Sequence, residues 1–333
     1  MFAWRKKARL LKAYLRGNPV WCSWQVTYAC NYRCGFCDYW KEEVNYSPGA
    51  RAREATLDDI RLGAAKLGEL GSLMISLAGG EPFLRRDLAE ITSILARQHF
   101  PLVTTNGSLV TEQRARQLWE AGLVGISVSL DSVDNAVHDA NRGVAGAADC
   151  ARRALRILST TRTQRDQRVN LMCVLSEQNL GEVEGLIRFA AENSCSFTIQ
   201  PYAAIKNGKG ELIPSGKTTR QLLALRKRYR NFLSNPVFLR NFDRFYEERG
   251  IPGCRAGRAF FNIDNFLNVE KCVEFREETI GNLRYLSAGE MLRGLRAESE
   301  RNRCRACWYN CRGEVEALYS IRGLMGSLPR LVG

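Results

Sequence analysis

Cys30, Cys34 and Cys37 stand within eight residues, in the run Thr27-Tyr28-Ala29-Cys30-Asn31-Tyr32-Arg33-Cys34-Gly35-Phe36-Cys37-Asp38. Three thiols so close together can serve one metal centre. A cubane iron–sulfur cluster has four irons and takes up to four thiolates. Three thiolates leave one iron open, and an open position on a metal is where small molecules bind and react. Two plainer readings compete. A zinc knuckle favours paired Cys-x2-Cys units or mixed Cys/His sets, but the two histidines, His99 and His138, lie far from the triplet in sequence. Disulfides need an oxidising compartment, and the basic N-terminus is not followed by an apolar signal segment.

The rest of the chain supplies a scaffold for such a loop. Strand-like apolar runs occur at Trp24–Thr27, Leu73–Leu77, Leu102–Thr105, Gly125–Leu130, Val169–Leu175 and Ser196–Gln200. Helical patterns lie between them, at Leu57–Leu70, Arg86–Arg97, Thr111–Ala121, Ala147–Ser159 and Leu180–Asn193. Alternation of this kind predicts an α/β fold with a parallel sheet and right-handed crossovers. Such sheets bind ligands at the carboxyl ends of their strands. The cysteine triplet follows the first strand. Gly79-Gly80-Glu81-Pro82 follows the second, Asn106-Gly107 the third, and Ser129-Leu130-Asp131 the fourth. Paired glycines allow close backbone approach to a ligand. On an extended chain Ser129 and Asp131 point the same way, toward the mouth of the sheet. Arg142 is a candidate partner for a carboxylate. Asn170 and Gln200-Pro201-Tyr202, on the last two strands, are weaker candidates.

The triplet, with its aromatic before the last cysteine, and the later Gly-Gly-Glu-Pro resemble the signature of the radical S-adenosylmethionine (radical SAM) superfamily. That resemblance implies a partial (β/α)6 TIM-like barrel over residues 21–205. It implies a [4Fe-4S] cluster on Cys30, Cys34 and Cys37, and S-adenosylmethionine on the open iron. Gly79, Gly80, Glu81 and Pro82 would lie by the amino group of that cofactor, and Asn106, Ser129, Asp131 and Arg142 along the rest of it. Reductive cleavage would give a 5′-deoxyadenosyl radical, with the electron drawn from a flavodoxin- or ferredoxin-type donor.

After residue 205 the pattern changes. Lys206–Glu211 reads as a loop, Lys217–Asn235 and Val237–Glu248 as helices, and 206–253 together as a helical connector. Cys254, Cys272, Cys304, Cys307 and Cys311 then form a second set, with a β-hairpin expected around Asp264-Asn265 and a helix at Arg284–Arg301. Spacing alone does not separate zinc from a complete iron–sulfur cluster. The resemblance points to a SPASM- or twitch-type extension over residues 254–315. The run stops at Cys311, so one auxiliary [4Fe-4S] cluster is expected, on Cys254, Cys272, Cys304 and Cys307 first, with Cys311 as rival ligand or free thiol. Cys22, Cys150, Cys173 and Cys195 read as ordinary buried residues.

Of the chain's 333 residues, 45% are hydrophobic and 25% charged, which excludes a disordered chain, and no apolar stretch approaches a membrane span. With twelve cysteines and no export signal, a cytoplasmic protein is expected. The net charge of +14 suits an acidic or phosphorylated substrate; no RNA-binding module is visible, so nucleic acid is disfavoured. Residues 1–20 carry Arg5, Lys6, Lys7, Arg9, Lys12 and Arg16 without an acid, and Trp4, Ala8, Leu11 and Leu15 share a helical face. Such a helix lies on anionic membranes or packs on its own domain. Residues 316–333 form a tail. With little chain before the first strand to hold a leader-binding domain, a small-molecule, sugar or lipid-linked substrate is preferred. The alternatives are maturation of a ribosomal peptide by crosslinking or epimerisation, and a non-catalytic iron–sulfur electron carrier or regulator.

Overall fold

A computed structural model describes residues 2–41, 54–206, 208–274 and 278–331. Asn207, within the expected 206–211 loop, lies outside the described residues. The six expected strands are β1 Trp21–Thr27, β2 Met74–Gly79, β3 Phe100–Thr105, β4 Gly125–Ser129, β5 Arg168–Leu175 and β6 Ser196–Pro201. Each pairs in parallel with its neighbour in sequence. The helices facing them are α2 Leu57–Leu70, α3 Leu88–Ala96, α4 Glu112–Glu120, α5 Asn135–Arg142, α6 Ala147–Thr161 and α7 Val183–Glu192, preceded by α1 Phe2–Leu15. Thr56 and Asp59 form a capping box that starts α2.

Burial alternates along β5 and β6. Val169, Leu171, Cys173 and Leu175 pack outward against the helices, and Asn170, Thr198 and Gln200 face inward. This period of two builds an apolar shell around a polar lumen. Cys22, Cys173 and Cys195 are buried as expected, whereas Cys150 is half-buried.

The C-terminal part departs from expectation in its attachment. The hairpin is β7 Phe260–Ile263 with β8 Asn268–Glu270, and a third strand, β9 Thr279–Asn282, follows. It is not a separate layer. β7 pairs in parallel with β1, so one sheet runs β6-β5-β4-β3-β2-β1-β7-β8-β9. Gln25 Nε2 donates to Asn262 Oδ1 (2.9 Å), and Asn262 Nδ2 to Glu270 (2.6 Å), across this seam. Arg284 pairs with Asp59 at 2.7 Å and ties the extension to the start of α2.

The helices after the barrel are shorter than the sequence pattern suggests. α8 is Thr219–Arg228 and stops where Tyr229 turns into extended backbone, so that Asn231–Leu233 can bond along the edge of β6 at Phe197. The expected Val237–Glu248 helix divides into α9 Pro236–Leu239 and α10 Phe242–Glu247. α11 is Ala288–Arg301. Two helices without a sequence-based expectation, α12 Asn310–Ala317 and α13 Ile321–Leu331, close the described chain.

Candidate active site

The first strand ends and the cysteine loop begins against the end of β2. Gly80 N donates to Thr27 O and Glu81 N to Ala29 O, both at 2.8 Å. Gly79 has φ +119°. A β-carbon there would lie 2.1 Å from Thr27 O, and one on Gly80 2.0 Å from Ala29 O. Real side chains do not tolerate such contacts, so both glycines are demanded by the stem of the cysteine loop itself.

Glu81 is fully buried. Its carboxylate accepts from Phe83 N (3.0 Å), Thr105 Oγ1 (2.7 Å) and Asn106 N (2.7 Å). Burial raises its pKa, opposed by those donors. It therefore joins the ends of β2 and β3, with Pro82 opening the short 3-10 turn after it. Asn106 Nδ2 in turn donates to Asn31 Oδ1 (2.9 Å) inside the cysteine loop.

On the far side, α5 braces the same loop. Gly35 N donates to Asn141 O (3.0 Å), and Gly143, at φ +68°, lets Arg33 O come within 2.5 Å of where its β-carbon would stand. Arg142 is buried. Its Nη2 is 2.7 Å from Asp131 Oδ2, its Nη1 4.0 Å from Cys34 Sγ, and its guanidinium lies over the Phe36 ring at 5.0 Å. Arg142 Nε is buried and has no partner among the described residues.

Asp131 corrects the expectation that it faces the mouth beside Ser129. β4 ends at Ser129, and beyond it the alternation of an extended strand no longer applies. Ser129 lines the lumen; Asp131 is buried outside it, accepting from Val174 N (3.0 Å) and pairing with Arg142. Asp131 N donates to His138 Nδ1 (3.1 Å), so His138 is a neutral acceptor whose pKa falls to about 4 through burial and then the Arg142 charge.

The lumen is a cavity of about 560 Å³, bordered by Cys30, Cys34, Cys37, Gly79, Gly80, Glu81, Asn106, Ser129 and Arg142 at one end. Arg168, Asn170, Gln200 and Tyr202 line the opposite wall. The size suits a small cofactor together with part of a substrate. Burial pushes Cys30 up to about 12 and raises Cys34, the latter opposed by Arg142. These thiols become thiolates on binding a metal.

The second cysteine set also converges. Cys254, Cys272, Cys304, Cys307 and Cys311 line one cleft. Asn302 holds two of them together, its Nδ2 donating to Cys254 O (3.0 Å) and its Oδ1 accepting from Cys304 N (3.1 Å). Arg312, fully buried, donates to Cys307 O and Ile251 O, each at 2.7 Å. Val273, Glu274, Tyr309 and Cys311 line both this cleft and the lumen. Among the described residues no three His, Cys, Asp or Glu side chains close on a single-ion site. A cubane spreads its thiolates over separate irons and needs less convergence than a lone zinc.

Residues 24–190 match the radical SAM superfamily. The chain belongs to this superfamily. A radical SAM protein carries a [4Fe-4S] cluster and S-adenosylmethionine, and the residues here fit both: three thiols on one loop, an adjoining lumen, and a buried cation beside Cys34. Mycofactocin maturase MftC of Mycolicibacterium smegmatis is 27% identical over 95% of this chain and 83% of its own. The PqqA peptide cyclase of Bradyrhizobium diazoefficiens is 25% identical over 88% and 73%. The chain is also similar in fold to Streptococcus suis SuiB, solved with its precursor peptide SuiA, at a TM-score of 0.61 and 18% identity, over 86% of this chain and 67% of that one.

Sequence reasoning missed several residues of this radical SAM site. Lys206 Nζ lies 3.2 Å from Asp38 and 3.4 Å from Glu274, over the Tyr39 ring at 4.3 Å, and so links the cysteine loop to the extension. Arg312 and Asn302 carry no motif. The one signal for Arg312 is its place directly after Cys311.

Proposed function

We propose that this radical SAM enzyme matures a peptide substrate, using one auxiliary [4Fe-4S] cluster held by the second cysteine set. Of the relatives that align over most of the chain, one is named a maturase and another a peptide cyclase. SuiB, alike in fold, was solved with a precursor peptide. These weigh more than the small-molecule, sugar or lipid-linked preference, which rested on the short segment before the first strand. The observation that carries the proposal is the shared wall. Val273, Glu274, Tyr309 and Cys311 separate the lumen from the five-cysteine cleft, so a substrate group in the lumen lies beside both centres.

When bound, the open-iron cluster and S-adenosylmethionine supply a 5′-deoxyadenosyl radical. The chain's own residues do the rest. Glu81 and Asn106 fix the strand ends around the cofactor end of the lumen. Arg142, oriented by Asp131, stands against Cys34 as a fixed positive charge. Arg168, Asn170 and Gln200 offer polar contacts to the substrate at the opposite wall. Cys254, Cys272, Cys304 and Cys307 would hold the auxiliary cluster, which would supply a second site for substrate binding or electron removal. A flavodoxin- or ferredoxin-type donor, acidic by class, complements the net charge of +14.

The test is anaerobic reconstitution with iron and sulfide, then S-adenosylmethionine, reductant and short candidate precursor peptides. Formation of 5′-deoxyadenosine together with a mass change in a peptide is expected. Deoxyadenosine formed while sugars or lipids, but no peptide, are altered would overturn the peptide assignment. No deoxyadenosine at all would favour a non-catalytic iron–sulfur protein.

A further inference from the structure

α1 turns its apolar stripe away from the protein. Among the described residues, six large hydrophobic side chains are more than half exposed, and all but Tyr285 lie on α1 or α13: Trp4 (63%), Leu11 (57%), Leu15 (74%), Ile321 (81%) and Met325 (64%). Scattered apolar residues are ordinary on a surface, but a concentration on two elements marks an interaction site.

The helix is held by its other face. Ala13, on the opposite side of the helix from Trp4 at 3.6 residues per turn, is buried. Lys6 Nζ donates to Ala96 O (2.8 Å) and His99 O (3.2 Å), Arg9 to Gly68 O, and Tyr14 Oη to Leu318 O (2.6 Å). These contacts fix α1 across the amino-terminal ends of β2 and β3, away from the lumen mouth. Ile321 begins α13 three residues beyond the Tyr14 contact, so both exposed sets start from one corner.

We propose that α1 docks this protein on the surface of an anionic phospholipid bilayer. Charge complementarity selects that occupant. Arg5, Lys7, Lys12 and Arg16 are exposed and flank the stripe, and α1 contains no acid. An apolar ridge bordered by long cationic side chains is the form of a helix lying at the headgroup level, with the ridge among acyl chains and the cations at the phosphates. Because α1 is at the amino-terminal end of the barrel, docking turns the lumen mouth away from the membrane. The surface thus anchors the enzyme and does not feed its active site.

The experiment is co-sedimentation of the full chain with vesicles of phosphatidylglycerol and phosphatidylcholine, against phosphatidylcholine alone, over a salt series. Binding to the anionic vesicles that declines as salt is raised is expected. Trp4→Glu and Leu15→Glu should each weaken it by about tenfold or more. Tyr285→Glu, at a still more exposed position elsewhere, should leave it unchanged. All three positions are exposed, so thermal midpoints should match the wild type; should a variant unfold, the Lys7→Glu/Lys12→Glu pair tests the same surface through its charge. Failure to bind anionic vesicles at low salt, equal binding to neutral ones, or indifference to the α1 variants overturns the proposal. So does light scattering that shows a dimer abolished by Trp4→Glu in a protein that ignores vesicles.

Discussion

Gly80 packs so tightly on Ala29 that a β-carbon would fall 2.0 Å from the Ala29 carbonyl oxygen. The contact closes the end of β2 on the stem of the cysteine loop. Gly80→Ala should therefore force the loop outward, at a cost of about 1–3 kcal/mol as for other overpacked sites. Urea unfolding reads that cost, and iron content reads the loop. An alanine variant with wild-type stability and full iron would mean the glycine serves the cofactor alone.

Iron counts separate the two centres. The reconstituted wild type should hold about eight irons, two cubanes. Replacing Cys30, Cys34 and Cys37 by Ala should leave about four. Cys304→Ala should also leave about four and Cys311→Ala about eight, because Asn302 holds Cys304 beside Cys254 whereas Cys311 stands in the wall between the cleft and the lumen. The reverse result at Cys304 and Cys311 would exchange their roles, and zinc in the tail would remove the auxiliary cluster.

Arg312→Met should act at the auxiliary centre only. It takes away the donors that join Cys307 O to Ile251 O, so iron should fall from about eight to about four while 5′-deoxyadenosine formation persists. Loss of deoxyadenosine as well would show that the extension is needed for the barrel's own chemistry.

Asp131→Asn leaves the buried Arg142 charge without its partner. Breaking a buried ion pair from one side costs about 3–5 kcal/mol. The expected signature is a large loss of stability with the auxiliary irons retained. Equal stability in Asp131→Asn and wild type would mean that the pair contributes no net stabilisation.

Both histidines are buried, and burial lowers each pKa to about 4. In the unfolded chain each takes up a proton near its ordinary value of about 6.5. The unfolded state therefore binds more protons as the pH falls below that value, and stability drops. Between pH 6.5 and pH 5 each histidine should account for about 1.5 kcal/mol of the loss. Raised carboxyl groups such as Glu81 act in the opposite sense. The comparison of wild type with His99→Gln isolates the histidine: the variant's stability should decline less steeply over this interval, and parallel curves would refute the assignment.

The barrel was legible because its signals are local. Apolar runs such as Leu73–Leu77 and Val169–Leu175 reveal strands whatever they pair with, and the cysteine and glycine motifs sit at their ends. The seam between β1 and β7 was not legible, since a parallel pairing of Trp21–Trp24 with Phe260–Ile263 leaves no mark in either segment. Asp131 was misread because strand alternation was carried past the end of the strand. The outward stripe of α1 was visible as a stripe, but which face meets the barrel depends on carbonyls offered by Gly68, Ala96 and His99, which no periodicity in α1 encodes.

The place of β1 bears on how the molecule is put together. One of its edges can pair with β2 as soon as the first few elements have formed, whereas the other waits for a strand made much later, after the whole barrel. Contacts so distant in sequence close late and slowly. The primary cysteine loop thus takes shape on a half-finished sheet, in reach of whatever delivers iron and sulfide. The second centre has its shared wall only once Val273 to Cys311 have been made, so the expected order of filling is the radical-generating centre first.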